Sequence, residues 1–274
     1  MNIDDKSKSE NDLQRELEDG MKYFFPFFTL NHGVHQHAVF SKWHISDEFE
    51  TDMMYVTKSS DEWWVVFVEF EHPSLKILTS KGSPTSKFTK GLDQIYTWKA
   101  YADSFKERIK ERLENFLAPL NKLMLHNPIT FKYLLIAGRK SELKDSSIIR
   151  KIKAMGNDDI KIKTWDSMFE NAERYIGKLN VITTTSGKYS FKNMNSTPPL
   201  MYMDPRDYIL TKEQIESIKS EGHDYYAWMA RNHLVFTNGI YQEQEKGMKE
   251  LFKSCAQRNK ENKRESKKPS KKKN

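Results

Sequence analysis

The chain has a single cysteine, Cys255, among its 274 residues. One thiol closes no internal disulfide and builds no cysteine-based metal cluster. Long apolar runs are missing too. The two most apolar stretches, FFPFFTL at 24–30 and WWVVFVEF at 63–70, are short, whereas a membrane helix needs about 20 such residues. The first residues, MNIDDKSKSENDLQ, are polar and acidic, so no signal peptide is expected. These absences point to a soluble, cytoplasmic protein with no membrane partner. Excess charge is also missing from most of the chain. Residues 256–274 hold nine of the 45 Lys and Arg and two of the 38 Asp and Glu, which leaves 36 of each sign elsewhere. The formal net charge of +7 therefore belongs to a tail, expected to be a basic, disordered, solvated extension. Such a tail can also hold nucleic acid through its phosphates, in a salt-sensitive way.

What is present begins with WWVVFVEFEHP, residues 63–73. Trp64, Val66, Val68 and Phe70 alternate with Trp63, Val65 and Phe67, so both faces of this strand are apolar. That pattern belongs to a strand covered on both sides. Period two places Glu69 and Glu71 on the face of Trp63, Val65 and Phe67. A carboxylate beside a core is costly unless it is paired, neutralised or bound to a metal. The two glutamates therefore require a partner.

Along the chain, Ser9 and Asp12 form a capping box ahead of Leu13, Leu17, Met21 and Phe24, which predicts a helix ending before Pro26. NHGVHQH (31–37) reads as a loop, and AVFSKWHIS (38–46) and TDMMYVT (51–57) as strands joined through a turn to WWVVFVEFE. A loop with two prolines follows, then a helical pattern from Ser86 to Leu117 with Leu92, Ile95, Phe105, Ile109, Leu113 and Phe116 on its buried stripe. FKYLLIAGR (131–139) and IKIKTW (160–165) predict strands; SIIRKIKAM (147–155) and DSMFENAERYI (166–176) predict helices. The fold class is therefore α/β, a mixed central sheet flanked by helices. The expected division is an N-terminal helix at 1–30, a core at 31–177, a helical and aromatic extension at 178–255, and the tail. In the extension TKEQIESIKSEG predicts a short amphipathic helix.

Asp52 lies seventeen residues before Glu69, in the preceding arm of a tight hairpin. Two adjacent antiparallel strands bring such carboxylates within reach of one cation. Asp52, Glu69 and a third oxygen ligand make the hard donor set that Mg²⁺ prefers, and a metal held there activates water against a phosphodiester.

At this point the chain resembles a known family. Asp52, the hairpin and VEFEHP resemble the core of the PD-(D/E)XK nucleases, with its restriction-endonuclease-like fold. More narrowly, the chain resembles Shedu, a bacterial antiphage-defence family. EFEHP corresponds to that family's ELKRP-like element, Gln94 and Trp98 in QIYTW to its Q-x-x-x-W, and LLIAGR and IKIKTWDSMFENA to later elements. The likeness spans about residues 31–177. It implies a DNA endonuclease using Mg²⁺ or Mn²⁺, with Asp52, Glu69, Glu71 and Gln94 catalytic and the three carboxylates as metal ligands. It implies DNA as partner and a homo-oligomer. One departure stands out: the family has lysine two residues after its acidic residue, and this chain has Glu71. His72 and Lys76 are nearby substitutes. The departure also supports an alternative, a nuclease-fold protein of weak or no activity that binds or senses nucleic acid.

Other residues read more plainly. Trp98 reads as core, and Glu10 as a solvated first-turn residue that the resemblance would also admit to the site. His32, His35 and His37 have no second ligand cluster and read as a polar loop. Arg139 either caps its strand or touches phosphate. His223, Asp224, Tyr225 and Tyr226 read as packing or an interface.

Overall fold

The computed structural model describes residues 2–5, 7–117, 126–143, 145–185, 187–195 and 208–220. Its centre is an eight-stranded mixed sheet. In chain order the strands are β1 (Val34–Ser41), β2 (Met53–Lys58), β3 (Trp63–Phe70), β4 (Ile129–Ile136), β5 (Ile160–Lys163), β6 (Asn180–Thr185), β7 (Lys188–Asn193) and β8 (Tyr208–Ile209). Across the sheet they run β5-β4-β3-β2-β1-β6-β7-β8. The hairpin-linked pairs β1–β2, β2–β3 and β6–β7 are antiparallel, whereas β3–β4, β4–β5, β1–β6 and β7–β8 are parallel. Short turns give the first kind, and connections that carry helices join β3 to β4 and β4 to β5 in parallel.

The sheet has a core on each face, as the doubly apolar β3 requires. On one face Trp63, Val65 and Phe67 pack under helices α2 (Ser86–Ser104), α3 (Lys106–Leu117) and α4 (Ser146–Ala154), through Phe88, Ile95, Trp98, Ile109, Phe116 and Ile152. On the other, Val66, Val68 and Phe70 meet α1 (Glu10–Glu18) and α5 (Trp165–Phe169), through Leu13, Leu17, Trp165 and Met168. Each fully buried large apolar side chain contributes roughly 2 kcal/mol relative to exposure. A sixth helix, α6 (Lys212–Ser220), follows β8 where the sequence predicts one, and its Ile215 joins the first core.

Several boundaries differ from the sequence expectation. The first helix stops at Glu18, because Gly20 (φ 70°) and Met21 (φ 46°) turn the chain; Met21 and Phe24 are buried beyond it. The loop expected at 31–37 becomes strand from Val34. Gln36 and His37 adopt positive φ, and the β1–β2 register shifts between Val34 and Val39. Such a bulge interrupts the period-two signal. That strand ends at Ser41, short of the expected Ser46. The long helix breaks at Phe105 (φ −125°, ψ 34°), which is 48% exposed rather than on the buried stripe. The expected strand over 160–165 ends at Lys163, since Thr164 caps α5 by accepting from Ser167 N–H. The helix expected over 166–176 is that short α5 followed by a 3₁₀ turn at Ala172–Tyr175. Within the extension expected at 178–255, the described residues carry three strands that the sequence reading did not place, β6, β7 and β8, added to the same sheet. Cys255, the cluster at 223–226 and the tail lie outside the described residues.

Candidate carboxylate site at the end of the sheet

The site is built by strand register. In β2–β3 Met53 pairs with Val68 and Met54 with Phe67, so the next step brings Asp52, one residue before β2, opposite Glu69. Period two puts both on the face of Met54 and Phe67. Asp52 is held at three atoms. Its Oδ2 accepts the Phe70 N–H at 2.8 Å, and its Oδ1 accepts the Lys42 ammonium at 2.5 Å. Its carbonyl accepts the Lys42 N–H at 2.9 Å and the Gln14 side-chain amide at 2.8 Å. Glu69 is partly buried, and its carboxylate has no hydrogen bond or ion pair among the described residues. Burial pushes its pKa up to about 9, and the charges of Asp52 and Glu71 push the same way, against Lys42.

Glu71 follows β3 and is only 8% exposed. Its backbone is fixed by its own N–H donating to Ile136 O at 2.8 Å and by the Trp165 indole donating to its carbonyl at 2.8 Å. Its side chain lies along α2 at Gly91, where an added Cβ would sit 2.7 Å from Oε1. Only glycine allows that approach, at a helix-interior cost of about 1 kcal/mol. Oε2 is buried with no hydrogen bond, and the Lys87 ammonium stands 3.6 Å away, too far for one. Burial raises the Glu71 pKa, and Glu10 raises it further while Lys87 opposes both.

Helix α1 contributes a polar stripe, of which the sequence reading weighed only Glu10 and left it in solvent. Glu10 accepts the Lys87 ammonium at 2.6 Å and the His72 N–H at 3.2 Å, so it belongs to the site's charge balance. One turn on, Gln14 reaches the Asp52 carbonyl; the next, Glu18, is 2% exposed. Glu18 Oε1 accepts the Ser41 hydroxyl at 2.6 Å and the Gln14 amide at 2.9 Å, and its other oxygen pairs with Lys192 of β7. Polar residues spaced by four beside Leu13 and Leu17 were the available signal.

The remaining candidates separate clearly. Gln94 is exposed and makes no hydrogen bond among the described residues, although it shares the stripe of Lys87, Gly91 and Trp98. Trp98 is core, 1% exposed. His72 is tied to Ser74 Oγ (2.7 Å) and Lys8 O (3.1 Å), and Lys76 is exposed. Arg139 is paired with Asp166 and Asp4, which makes it a strand-end clamp. His35 leaves the expected polar loop: its ring lies against Trp63 and Phe116, and burial pushes its pKa down to about 3. His32 and His37 are exposed. Among the described residues, no group of three or more His, Cys, Asp or Glu side chains is placed to hold a metal ion. No helix among them is long and apolar enough to cross a membrane.

Fold and site together define an α/β protein whose antiparallel hairpin and following parallel strands carry a carboxylate cluster at one end of the sheet. The family model described as Shedu protein SduA, C-terminal, matches residues 7–169, more than half of the chain. The chain belongs to this Shedu family. No curated protein matches it. The matched span contains α1, β1–β5 and the whole carboxylate cluster, while β6–β8 lie beyond it.

Proposed function

We propose that this protein is a metal-dependent DNA endonuclease of the Shedu type, acting in bacterial antiphage defence. In this reading β1–β4 with their flanking helices form a PD-(D/E)XK core. The observation that carries it is the row of Asp52 and Glu69 beside Glu71, three carboxylates within one another's field. One of the three has no partner, and another has a buried oxygen without a hydrogen bond. Carboxylates left so at the edge of a core call for a cation. The donor chemistry fits Mg²⁺ or Mn²⁺, which take hard oxygen ligands. Asp52 and Glu69 would hold the ion, with Glu71 adjacent. When bound, it would polarise the scissile phosphate and offset its developing charge.

The chain's own residues set the rest. The Phe70 N–H fixes Asp52 rigidly, and the dry β3 fixes Glu69 relative to it. Gln94 and the basic tail would meet DNA from outside the cluster, and assembly into a homo-oligomer follows the family resemblance. A second reading, a protein that binds or senses nucleic acid without cutting, is favoured by Glu71 itself, which is folded against Gly91 and so turned away from an open role. The test is cleavage of plasmid and linear DNA with Mg²⁺ or Mn²⁺ by wild type and Glu69→Ala. Metal-dependent cutting lost in the variant supports the endonuclease. Binding without cutting under every divalent metal supports the second reading.

A further inference from the structure

The carboxylate row continues one strand further than the carboxylates do. Phe40 pairs with Met54, and Met54 with Phe67, forming one cross-strand row under the first core. Two residues along all three strands, the next row on that face is Lys42, Asp52 and Glu69. The pairing is sealed by the Lys42 N–H donating to the Asp52 carbonyl at 2.9 Å, and the side chains meet again at 2.5 Å. Lys42 itself sits at φ 50°. A left-handed backbone costs a lysine about 1–2 kcal/mol, and such cost persists where surrounding structure requires it. Glycine would relieve the backbone and lose the ammonium. The Lys42 side chain is 38% exposed, so the ammonium reaches solvent at the mouth of the row. One of its three N–H donors is taken by Asp52, and no other acceptor for it is found among the described residues. Lys87, by contrast, is engaged by Glu10 at 2.6 Å.

We propose that Lys42 is the positioning cation of this site: it holds the Asp52 carboxylate in line with Glu69 and turns its remaining donors toward the anionic phosphodiester. The inference rests on the endonuclease reading. It makes two demands that pull in opposite directions. As a fixed positive charge beside Asp52, Lys42 opposes a divalent cation; as the aligner of Asp52 and a phosphate donor, it is needed for turnover.

Mn²⁺ binding by calorimetry and cleavage of linear duplex DNA, in Lys42→Met and Lys42→Arg, separate these demands. Lys42→Met is expected to bind Mn²⁺ about tenfold more tightly, because a nearby like charge is gone. It should cut about a hundredfold more slowly, with the effect in kcat rather than KM. Lys42→Arg keeps the charge, so its Mn²⁺ affinity should equal wild type and its rate should recover to within about tenfold. Lys42→Met that binds Mn²⁺ and cuts as wild type does overturns the inference. Wild type that binds Mn²⁺ but cuts no DNA overturns the endonuclease reading, and the affinities then decide Lys42 alone. Tighter binding in Met with no change in Arg supports it, and equal affinity in all three proteins overturns it.

Discussion

The sheet carries two clusters of charge that use the same residue types to opposite ends. Toward the β5 edge, Asp159 lies between Lys132 (2.8 Å) and Lys99 (3.2 Å). The hydrogen bond from Lys132 holds the Asp159 pKa below its ordinary value, and Lys99 reinforces it. At the end of β2 and β3, Asp52, Glu69 and Glu71 share Lys42 and Lys87, and the two glutamates have raised pKa values. With Asp103, which pairs with Lys99 at 3.4 Å, the first cluster is balanced, and it ties β4 to the loop before β5. The second is left short of positive charge although it is as well supported by backbone. That contrast marks the second cluster, rather than the first, as the candidate functional site.

Activity gives the largest contrast. Asp52→Ala or Glu69→Ala should lower metal-dependent DNA cleavage by about a thousandfold or more, with unchanged far-UV circular dichroism. Asp159→Ala should cut at nearly the wild-type rate. Collapse of structure in both site variants would instead make the pair structural.

Stability should move in opposite directions at the two clusters. Asp159→Asn removes the partner of Lys132, which is only 9% exposed, and should cost about 1 kcal/mol, a value kept low because Asp159 itself meets solvent. Glu69→Gln removes a group that must take up a proton to fold at pH 8 and should stabilise the metal-free protein by about 1 kcal/mol. Urea unfolding measures both, and equal signs would break the comparison.

The pH dependence follows with a definite sign. The Glu69 pKa rises on folding from its ordinary 4.5 to about 9, so the folded state keeps a proton that the unfolded chain releases. The stability it contributes is complete below 4.5 and is lost as pH rises toward 9. The metal-free midpoint should therefore fall across that window, and Glu69→Gln should flatten the fall. The smallest effect is that of the tail: deleting 256–274 removes the whole formal excess of +7. DNA binding should then weaken and its salt slope become shallower, with cleavage chemistry retained.

Much of this architecture is legible in the sequence, for physical reasons that differ by element. The alternation of β3 announces a doubly covered strand, and counting back along a tight hairpin finds Asp52 beside Glu69. Local patterning cannot find Lys42. Its row depends on the β1–β2 register, which the bulge at Gln36 and His37 shifts even though AVFSKWHIS itself reads as a strand. Gly91 looks like a fault in a helix until Glu71 is seen to fill the space it leaves. Gln14 and Glu18 look solvated because their partners, the Asp52 carbonyl and Lys192, are distant in sequence. The helix break at Phe105 is equally invisible, because its apolar stripe continues through it.

The claim that the Asp52–Glu69 row is kept for a divalent cation is tested most directly by Mn²⁺-dependent thermal unfolding at pH 8, in wild type, Glu69→Gln and Asp159→Asn. Wild type and Asp159→Asn should gain several degrees in Tm as Mn²⁺ is added, and Glu69→Gln should gain almost nothing. The account is contradicted if Mn²⁺ stabilises Glu69→Gln as strongly as it does the wild type.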